Sequence, residues 1–153
     1  MLTITAFTAP DHHGGKGLYA DQTVFKGDVV RRHNSARTRI YSLREYKEAL
    51  APGGAHARAL RNHCYPAEAV VNGQTVRILL HDGDLGAYMN HSEEPNVGIC
   101  PAHPDVMVAL RHIKPGDELT CDYRAFVADL SGWSDVEHCA SFLLPSAVNK
   151  KAA

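Results

Sequence analysis

The chain has 153 residues, the length of one domain, and a chain of this size buries roughly 70% of its unfolded surface, enough for a hydrophobic core. Hydrophobic residues make up 44% and charged residues 22%, which excludes a disordered or fibrous protein. Because 16 basic residues stand against 17 acidic ones, a net charge of -1, direct nucleic-acid binding is not expected.

The sequence carries no signal for secretion or for a membrane. Its first residues lack a basic leader followed by an apolar stretch, and no run approaches the ~18 apolar residues of a membrane span. We therefore expect no membrane association and an intracellular protein, cytoplasmic by default, with the nucleus or a host cell as other settings. The cysteines lie far apart without a C-x-x-C pair, which favours free thiols in a reducing compartment: Cys64, Cys100, Cys121 and Cys139.

The first predicted elements are two strands and a helix. Residues 17–32 alternate apolar and polar side chains around a Lys-Gly-Asp turn, which predicts two short strands joined tightly. Residues 42–50 begin with an S-x-x-E capping box and carry apolar residues at helical spacing until Pro52, which predicts a helix. Residues 56–63 predict a further helical turn or two.

Strands dominate the chain after these helices. Residues 67–83 contain an Asn-Gly pair between two apolar runs, which predicts a hairpin. Residues 97–100, 106–113 and 118–123 then predict a meander of short strands. Because strands and helices do not alternate, a doubly wound fold is excluded. The sequence predicts a mostly β domain, of the β-rich α+β class.

Three segments carry a family resemblance: G-K-G-L-Y-A at 15–20, N-H-S-E-E-P-N at 90–96 and G-D-E-L-T-C-D-Y at 116–123. Their content, order and separation resemble the SET-domain protein lysine methyltransferases. The resemblance implies a SET-domain fold of short strands with a helical insertion, in which the two later segments form a knot-like crossing near the cofactor.

The resemblance also implies one SET domain over residues 1–153. Its predicted parts are a core at about 14–126, a helical insertion at about 33–65 and a C-terminal tail at about 127–153. The tail contains apolar residues that we expect to pack: Trp133, Phe142, Leu143 and Leu144.

The cofactor implied by the resemblance is S-adenosylmethionine. The residues implied to bind it are Lys16, Gly17, Leu18, Tyr88, Asn90 and His91. Glycine lets the main chain approach a ligand closely, which suits a segment that wraps the methionine end of the cofactor. Asn90 and His91 are implied to hold its amino-acid and adenine portions. For Tyr88, cofactor contact and burial in the core are both open.

Catalysis is assigned by the resemblance to Tyr123, because the active-site tyrosine of the family ends this D-Y segment. Methyl transfer from a sulfonium needs nitrogen, methyl carbon and sulfur in line, so orientation and electrostatics carry most of the acceleration. A phenol can orient both the methyl-sulfonium group and the incoming amine. Asp122 is expected to serve structure. Aromatic rings suit a channel for the lysine stem, and the candidates are Tyr41, Tyr88 and Phe126.

Cys121 departs from the family pattern. It lies two positions before Tyr123, where the family commonly has phenylalanine or tyrosine, at a position that resembles its product-specificity switch. Because cysteine is smaller than either ring, we expect room for di- or trimethylation. The alternative is an ordinary buried thiol in a strand.

No metal site is expected. Many relatives hold zinc with a cysteine of the N-H-S-C motif and a cysteine-rich segment after the domain. Here Glu93 fills the motif position, and only Cys139 lies after the domain core at about 14–126. The apolar tail is expected to replace that segment as a lid. The ten histidines show no zincin or zinc-finger spacing.

The expected partner is a protein bearing a lysine, a histone or histone-like protein among the candidates, and small relatives can form homodimers. Acidic residues that would suit a basic tail are Asp82, Asp84, Glu93 and Glu94. Positive charge is concentrated at Arg31, Arg32, Arg37, Arg39, Arg44, Arg58 and Arg61 and would instead meet an acidic surface, or form an ordinary solvated face.

The first alternative to an active enzyme is a cofactor-binding but catalytically inactive SET module that acts through protein contacts. Two others remain: a methyltransferase whose acceptor is not lysine, and an unrelated β-rich binding domain.

Overall fold

The computed structural model describes residues 1–12 and 14–125, which divide into two compact units. The first unit contains residues 1–38 and 82–125, and the second contains residues 39–81. Phe126 and the tail at 127–153, which includes Cys139 and the residues predicted to pack, lie outside the described residues.

Short strands form most of the regular structure. The strands are β1 (Ala6–Pro10), β2 (Lys16–Ala20), β3 (Val29–Arg32), β4 (Thr38–Tyr41), β5 (Cys64–Val71), β6 (Gln74–Asp82), β7 (Asn90–His91), β8 (Val97–Cys100), β9 (His103–Ala109) and β10 (Thr120–Cys121). The helices are α1 (Leu43–Leu50) and α2 (Gly54–His63), and 3-10 turns lie at Ser35–Arg37, Leu85–Tyr88 and Tyr123–Ala125. None of the described helices is long and apolar enough to cross a lipid bilayer.

Three small sheets make up the first unit. Strands β1 and β2 form an antiparallel hairpin, β3-β9-β8 form an antiparallel sheet, and β7 pairs in parallel with β10. Apolar side chains fill the space between them, and the fully buried ones include Leu18, Val24, Val30, Val97, Ile113 and Leu119. The three resemblance segments all belong to this unit.

The two strands predicted within residues 17–32 exist as β2 and β3, but the prediction that they join tightly is wrong. Strand β2 pairs with β1, which the sequence did not predict, and β3 pairs with β9. The intervening chain is instead held by Val24, whose N–H and C=O both bond to Ile113 at 2.9 Å. The Lys-Gly-Asp turn itself is present, since Asp28 N–H donates to Phe25 O at 3.0 Å, but each strand takes its partner from elsewhere in the chain.

The predicted meander is right for β8 and β9, which pair antiparallel, and wrong for its last strand. Residues 116–119 are drawn along β2, because Gly116 N–H donates to Ala20 O at 2.8 Å and Leu119 N–H donates to Leu18 O at 2.7 Å. The chain therefore reaches β10 beside β7 and not beside β9.

The second unit contains α1, α2 and the three-stranded sheet β4-β6-β5. The predicted capping box of α1 is confirmed: Glu45 N–H donates to Ser42 Oγ at 3.3 Å, and Ser42 N–H donates to Glu45 Oε2 at 2.8 Å. The predicted further helical turns are confirmed as α2. The Asn-Gly hairpin of β5 and β6 is also confirmed, with φ of 52° at Asn72 and 77° at Gly73, as a type I′ turn requires.

A hydrophobic cluster holds the second unit together. Its buried members are Tyr46, Leu60, Cys64 and Leu79, one or more from each helix and from both strands of the hairpin. The helices therefore pack on the hairpin through a few large side chains. Removing one of these side chains should lower the stability of the whole second unit.

Replacement of Leu79, which is fully buried, by alanine should lower the free energy of unfolding by about 2–5 kcal/mol, because it removes buried surface and leaves a cavity. The matched control is Val70→Ala in the same hairpin, since Val70 is 73% exposed and should change stability by less than about 0.5 kcal/mol. Urea unfolding followed by circular dichroism measures both, and equal losses would contradict the assigned core.

Candidate functional site

The two later resemblance segments lie side by side in the first unit. In the parallel pair of β7 and β10, Asn90 is in register with Thr120 and His91 with Cys121. The contact continues beyond the strands, where Ser92 N–H donates to Cys121 O at 3.0 Å. Segments far apart in sequence are thus joined through their main chains.

Asn96 fixes this crossing with its side-chain amide. Its Nδ2 donates to Glu118 O at 2.7 Å, and its Oδ1 accepts from Thr120 N–H at 2.9 Å. Asn96 is only 4% exposed, so both bonds are shielded from water. One side chain therefore satisfies the main-chain groups on both sides of Leu119, and it explains why an asparagine closes the N-H-S-E-E-P-N segment.

Tyr123 stands directly beside this crossing. Its hydroxyl donates to Met89 O at 2.8 Å, and its N–H donates to His91 Nδ1 at 3.2 Å. The rings of His91 and Tyr123 are 5.3 Å apart. Burial raises the pKa of the Tyr123 phenol, and nearby Cys121 and Glu118 raise it further. The phenol is therefore neutral. Hydrogen bonds from the Tyr123 main-chain N–H and from its hydroxyl fix the position of the residue.

Cys121 and Asp122 differ sharply in environment. Cys121 is 4% exposed, and burial raises the pKa of its thiol to about 12. Hydrogen bonds from Arg124 lower the pKa of the Asp122 carboxyl, and Arg124 Nε lies 2.8 Å from Asp122 Oδ1. Cys121 is thus a neutral thiol shielded from water, whereas Asp122 is an ionised carboxylate hydrogen-bonded to Arg124.

The first resemblance segment, residues 15–20, lies next to Asn90. Asn90 Nδ2 donates to Glu118 Oε1 at 2.8 Å and to Asp11 Oδ2 at 3.1 Å, and it lies 3.5 Å from Lys16 O. A Cβ added at Gly17 would lie 2.4 Å from Glu118 Oε1, so a larger residue at this position would force the Glu118 carboxylate to move. The Asn90 amide, the Lys16 carbonyl and the backbone of Gly17 therefore lie close together, next to the carboxylates of Asp11 and Glu118.

Asp11 was not singled out from the sequence. Its Oδ1 accepts from Gly15 N–H at 2.7 Å, which closes the turn between β1 and β2. Burial raises the pKa of Tyr19, and the charges of Glu118 and Asp11 raise it further. The sequence contains no signal for this pairing, because Asp11 and Asn90 are 79 positions apart.

The remaining candidates fall in different surroundings. Leu18 is fully buried, with its carbonyl bonded to Leu119, while Tyr88 is half-buried at the end of the 3-10 turn before Met89. Tyr41 belongs to the second unit, where its ring packs edge-on against Tyr46 at 6.4 Å and its hydroxyl bonds to no described residue. Roles for these residues in cofactor or lysine binding stay predictions.

Two of the four acidic residues considered for a basic substrate are engaged inside the first unit. Arg31 Nη2 lies 2.7 Å from Asp82 Oδ2 and 3.4 Å from Asp84 Oδ1, and both carboxylates are almost fully buried. Glu93 and Glu94 are exposed. Within residues 1–12 and 14–125, no group of three or more histidine, cysteine or acidic side chains is arranged to hold a metal.

The sequence model of the SET domain matches residues 15–124, so the chain belongs to the SET-domain family. The predicted family and its β-rich fold are thereby confirmed. Among curated proteins, the histone-lysine N-methyltransferase SETMAR of Rattus norvegicus is 38% identical over 74 residues, covering 42% of this chain and 22% of the relative. The Bos taurus SETMAR is 34% identical over 88 residues, covering 52% and 27%. The chain thus spans about a quarter of these relatives' length.

Solved structures agree on the fold. The methyltransferase domain of human SETMAR superposes with a TM-score of 0.54 at 21% identity, covering 80% of this chain and 45% of that one. DIM-5, a histone lysine methyltransferase from Neurospora, gives 0.51 at 20%, covering 84% and 55%. ctPRC2 in an autoinhibited conformation bound to S-adenosylmethionine gives 0.53 at 18%, covering 85% and 16%.

Because the pKa of Cys121 is raised to about 12, only about one thiol in ten thousand is ionised near pH 8, and it should resist alkylation. We expect brief treatment with iodoacetamide to modify the partly exposed Cys100 and leave Cys121 unmodified until the protein is denatured. Peptide mapping by mass spectrometry measures both sites. Modification of Cys121 as fast as Cys100 in the folded protein would contradict the assigned burial.

Proposed function

We propose that this chain is an S-adenosylmethionine-dependent methyltransferase that transfers methyl groups to a lysine side chain of a histone or another protein. The single observation that carries the proposal is the position of the neutral Tyr123 phenol. Its hydroxyl is bonded to Met89 O, next to the strand pair in which Asn90 and His91 of β7 face β10. Membership of the SET-domain family supports the reaction type, and the names of the curated relatives support the substrate class.

The residues around Asn90 suit the proposed cofactor. We assign Lys16, Gly17, Asn90 and His91 to its binding, together with the adjoining Leu18 and Tyr88. The cofactor's amino-acid portion carries an ammonium group, and the carboxylates of Asp11 and Glu118 that converge on Asn90 complement that charge. When bound, S-adenosylmethionine supplies an electrophilic methyl group on a sulfonium. The bound cofactor in ctPRC2 is consistent with this assignment.

Tyr123 would act by orientation. Its O–H is committed to Met89 O, so the phenol oxygen keeps lone pairs that accept a hydrogen bond from the lysine amine. An amine held this way directs its own lone pair toward the electrophile, which favours in-line attack. The amine must first lose a proton, and desolvation by the neutral surroundings of Tyr123 and Cys121 favours its neutral form. No general base is required of Asp122, which is engaged by Arg124.

Fewer acidic residues can contact a basic substrate than the sequence alone indicated. Asp82 and Asp84 face Arg31 inside the first unit, so they are not available to a basic tail. Glu93 and Glu94 are exposed and follow Asn90 and His91 in the chain, separated from them by Ser92. They complement a lysine- and arginine-rich segment such as a histone tail, which supports a basic protein as substrate.

The decisive test compares wild type, Tyr123→Phe and Asn90→Ala. Wild type should bind S-adenosylmethionine in a calorimetric titration and transfer labelled methyl to lysine in a panel of histones and lysate proteins. Tyr123→Phe should lose about 100-fold or more of the rate with its cofactor Kd little changed, because it removes the orienting oxygen alone. Asn90→Ala should weaken cofactor binding. Tyr65→Phe in β5 is the matched control and should retain activity.

Other outcomes would identify the alternatives. Cofactor binding with no transfer to any panel protein would indicate an inactive module that acts through protein contacts. Label on an acceptor other than lysine would overturn the substrate assignment. Absence of cofactor binding in a folded protein would overturn the proposed function as a whole.

The degree of methylation should depend on the size of residue 121. With cysteine there, wild type should go on to di- or trimethylated lysine. Cys121→Phe, in protein that thermal unfolding shows to be folded, should stop at monomethylated product because its larger ring leaves less room for a methylated amine. Cys121→Ser, which conserves size, is the control and should keep the wild-type product pattern. Mass spectrometry of the methylated peptide at long reaction times measures this, and strictly monomethylated product from wild type would reject it.

A further inference from the structure

A buried arginine lies on strand β3, outside all three resemblance segments. The pairing of β3 with β9 shifts register between Val29 and Arg31, so the strand carries a β-bulge at Val30. A bulge re-aims the following side chain, and the side chain of Arg31 is only 11% exposed. The strand thus turns a charged side chain toward the interior of the first unit.

The two carboxylates that contact Arg31, those of Asp82 and Asp84, lie just before the 3-10 turn at Leu85–Tyr88. Arg31 Nη2 donates to Asp82 Oδ2 at 2.7 Å, and Thr38 Oγ1 donates to Asp82 Oδ1 at 2.7 Å. Burial opposes ionisation of Asp82, but the charge and hydrogen bond of Arg31 outweigh it and lower the pKa of that carboxyl. Arg31 and Asp82 are therefore a buried ion pair, and removal of either partner would leave an uncompensated charge.

Asp84 connects Arg31 to the following turn. Its Oδ1 lies 3.4 Å from Arg31 Nη2 and also accepts from Gly86 N–H at 2.8 Å, while its Oδ2 contacts the Met1 amino group at 3.0 Å. A Cβ added at Gly86 would lie 2.2 Å from Arg31 Nε and 2.8 Å from its Cζ. The guanidinium therefore rests against the main chain of the turn, and only glycine fits beneath it.

The same turn ends at the carbonyl that holds the catalytic tyrosine. Met89 N–H donates to Gly86 O at 3.1 Å, and Met89 O accepts from the Tyr123 hydroxyl at 2.8 Å. A continuous series of contacts thus runs from Arg31 through Asp84, Gly86 and Met89 to the phenol of Tyr123.

We propose that Arg31 is a positioning residue for methyl transfer: it fixes the 85–88 turn and so sets where Met89 O holds the Tyr123 phenol. This inference rests on the proposed methyltransferase function. Because Arg31 acts through the main chain of the turn, its loss would misplace the tyrosine without removing Lys16, Gly17, Asn90 or His91. Of the residues assigned to the cofactor, only Tyr88 lies within the turn. A displacement on the order of 1 Å at a reacting centre costs about 100-fold in rate.

The test uses three variants of the full chain. Arg31→Lys keeps the charge but loses the planar fork, Gly86→Ala pushes the guanidinium off the turn, and Asp84→Asn keeps an oxygen for the Gly86 amide while weakening the link to Arg31. The matched control is Arg32→Lys, the neighbouring position on β3, where the side chain is exposed. Thermal unfolding identifies any variant that fails to fold, and Asp84→Asn is the mildest of the three.

Two kinds of readout separate positioning from a structural role. In the folded variants, kcat should fall at least about tenfold while the cofactor Kd and substrate KM stay within about threefold of wild type. In protein labelled with ¹³Cζ-tyrosine, the Tyr123 resonance, assigned by its loss in Tyr123→Phe, should move because its hydrogen bond changes. Arg32→Lys should leave both unchanged.

A wild-type Tyr123 resonance and wild-type kcat in every folded variant would overturn the proposal. A loss of kcat with an unmoved resonance would overturn it as well, because Arg31 would then act by another route. If wild-type protein transfers no methyl group, the proposed function fails on its own, while the resonance still reports whether Arg31 controls Tyr123.

Discussion

A single buried amide joins the two chain segments on which the site depends. Asn96 accepts from one main-chain group and donates to another within residues 118–120, and these bonds hold β10 against β7. Without them, buried main-chain groups would lose their partners at a cost of about 1–3 kcal/mol each. The clamp lies directly beside the β7-β10 pair, in which Cys121 is in register with His91, and the chain passes from that pair into Tyr123.

The chemistry around the clamp divides into neutral and ionised groups. Cys121 is buried and Tyr123 is half-buried, and their removal from water raises both pKa values and keeps both groups protonated. The carboxylates of Asp11 and Glu118 instead face the amide of Asn90. Neutral surroundings suit an uncharged amine, whereas carboxylates suit an ammonium group, so one small site offers separate environments for the two ligands of the proposed reaction.

Local sequence signals predicted the local structure. The Asn72-Gly73 pair and the Ser42 capping box placed a hairpin and a helix correctly, because both depend on residues a few positions apart. Strand β1 and the partners of β2 and β3 could not be predicted, since pairing across the chain is decided by packing that periodicity does not encode. The contact of β10 with β7 was anticipated only through the crossing that the family resemblance implied. The motifs located Asn90 and Tyr123, but Arg31 and Asp82, 51 positions apart, carry no local signal.

The parallel pairing of β7 with β10 also bears on the order of folding. A parallel pair cannot close through a tight turn, and here the intervening chain, which contains β8 and β9, must loop back before Thr120 can meet Asn90. Closing so long a loop costs entropy that is repaid only when the distant strands touch, so such contacts form late. We therefore expect the candidate site to assemble late, so that a nascent or partly unfolded chain lacks the paired segments that place Tyr123 beside His91.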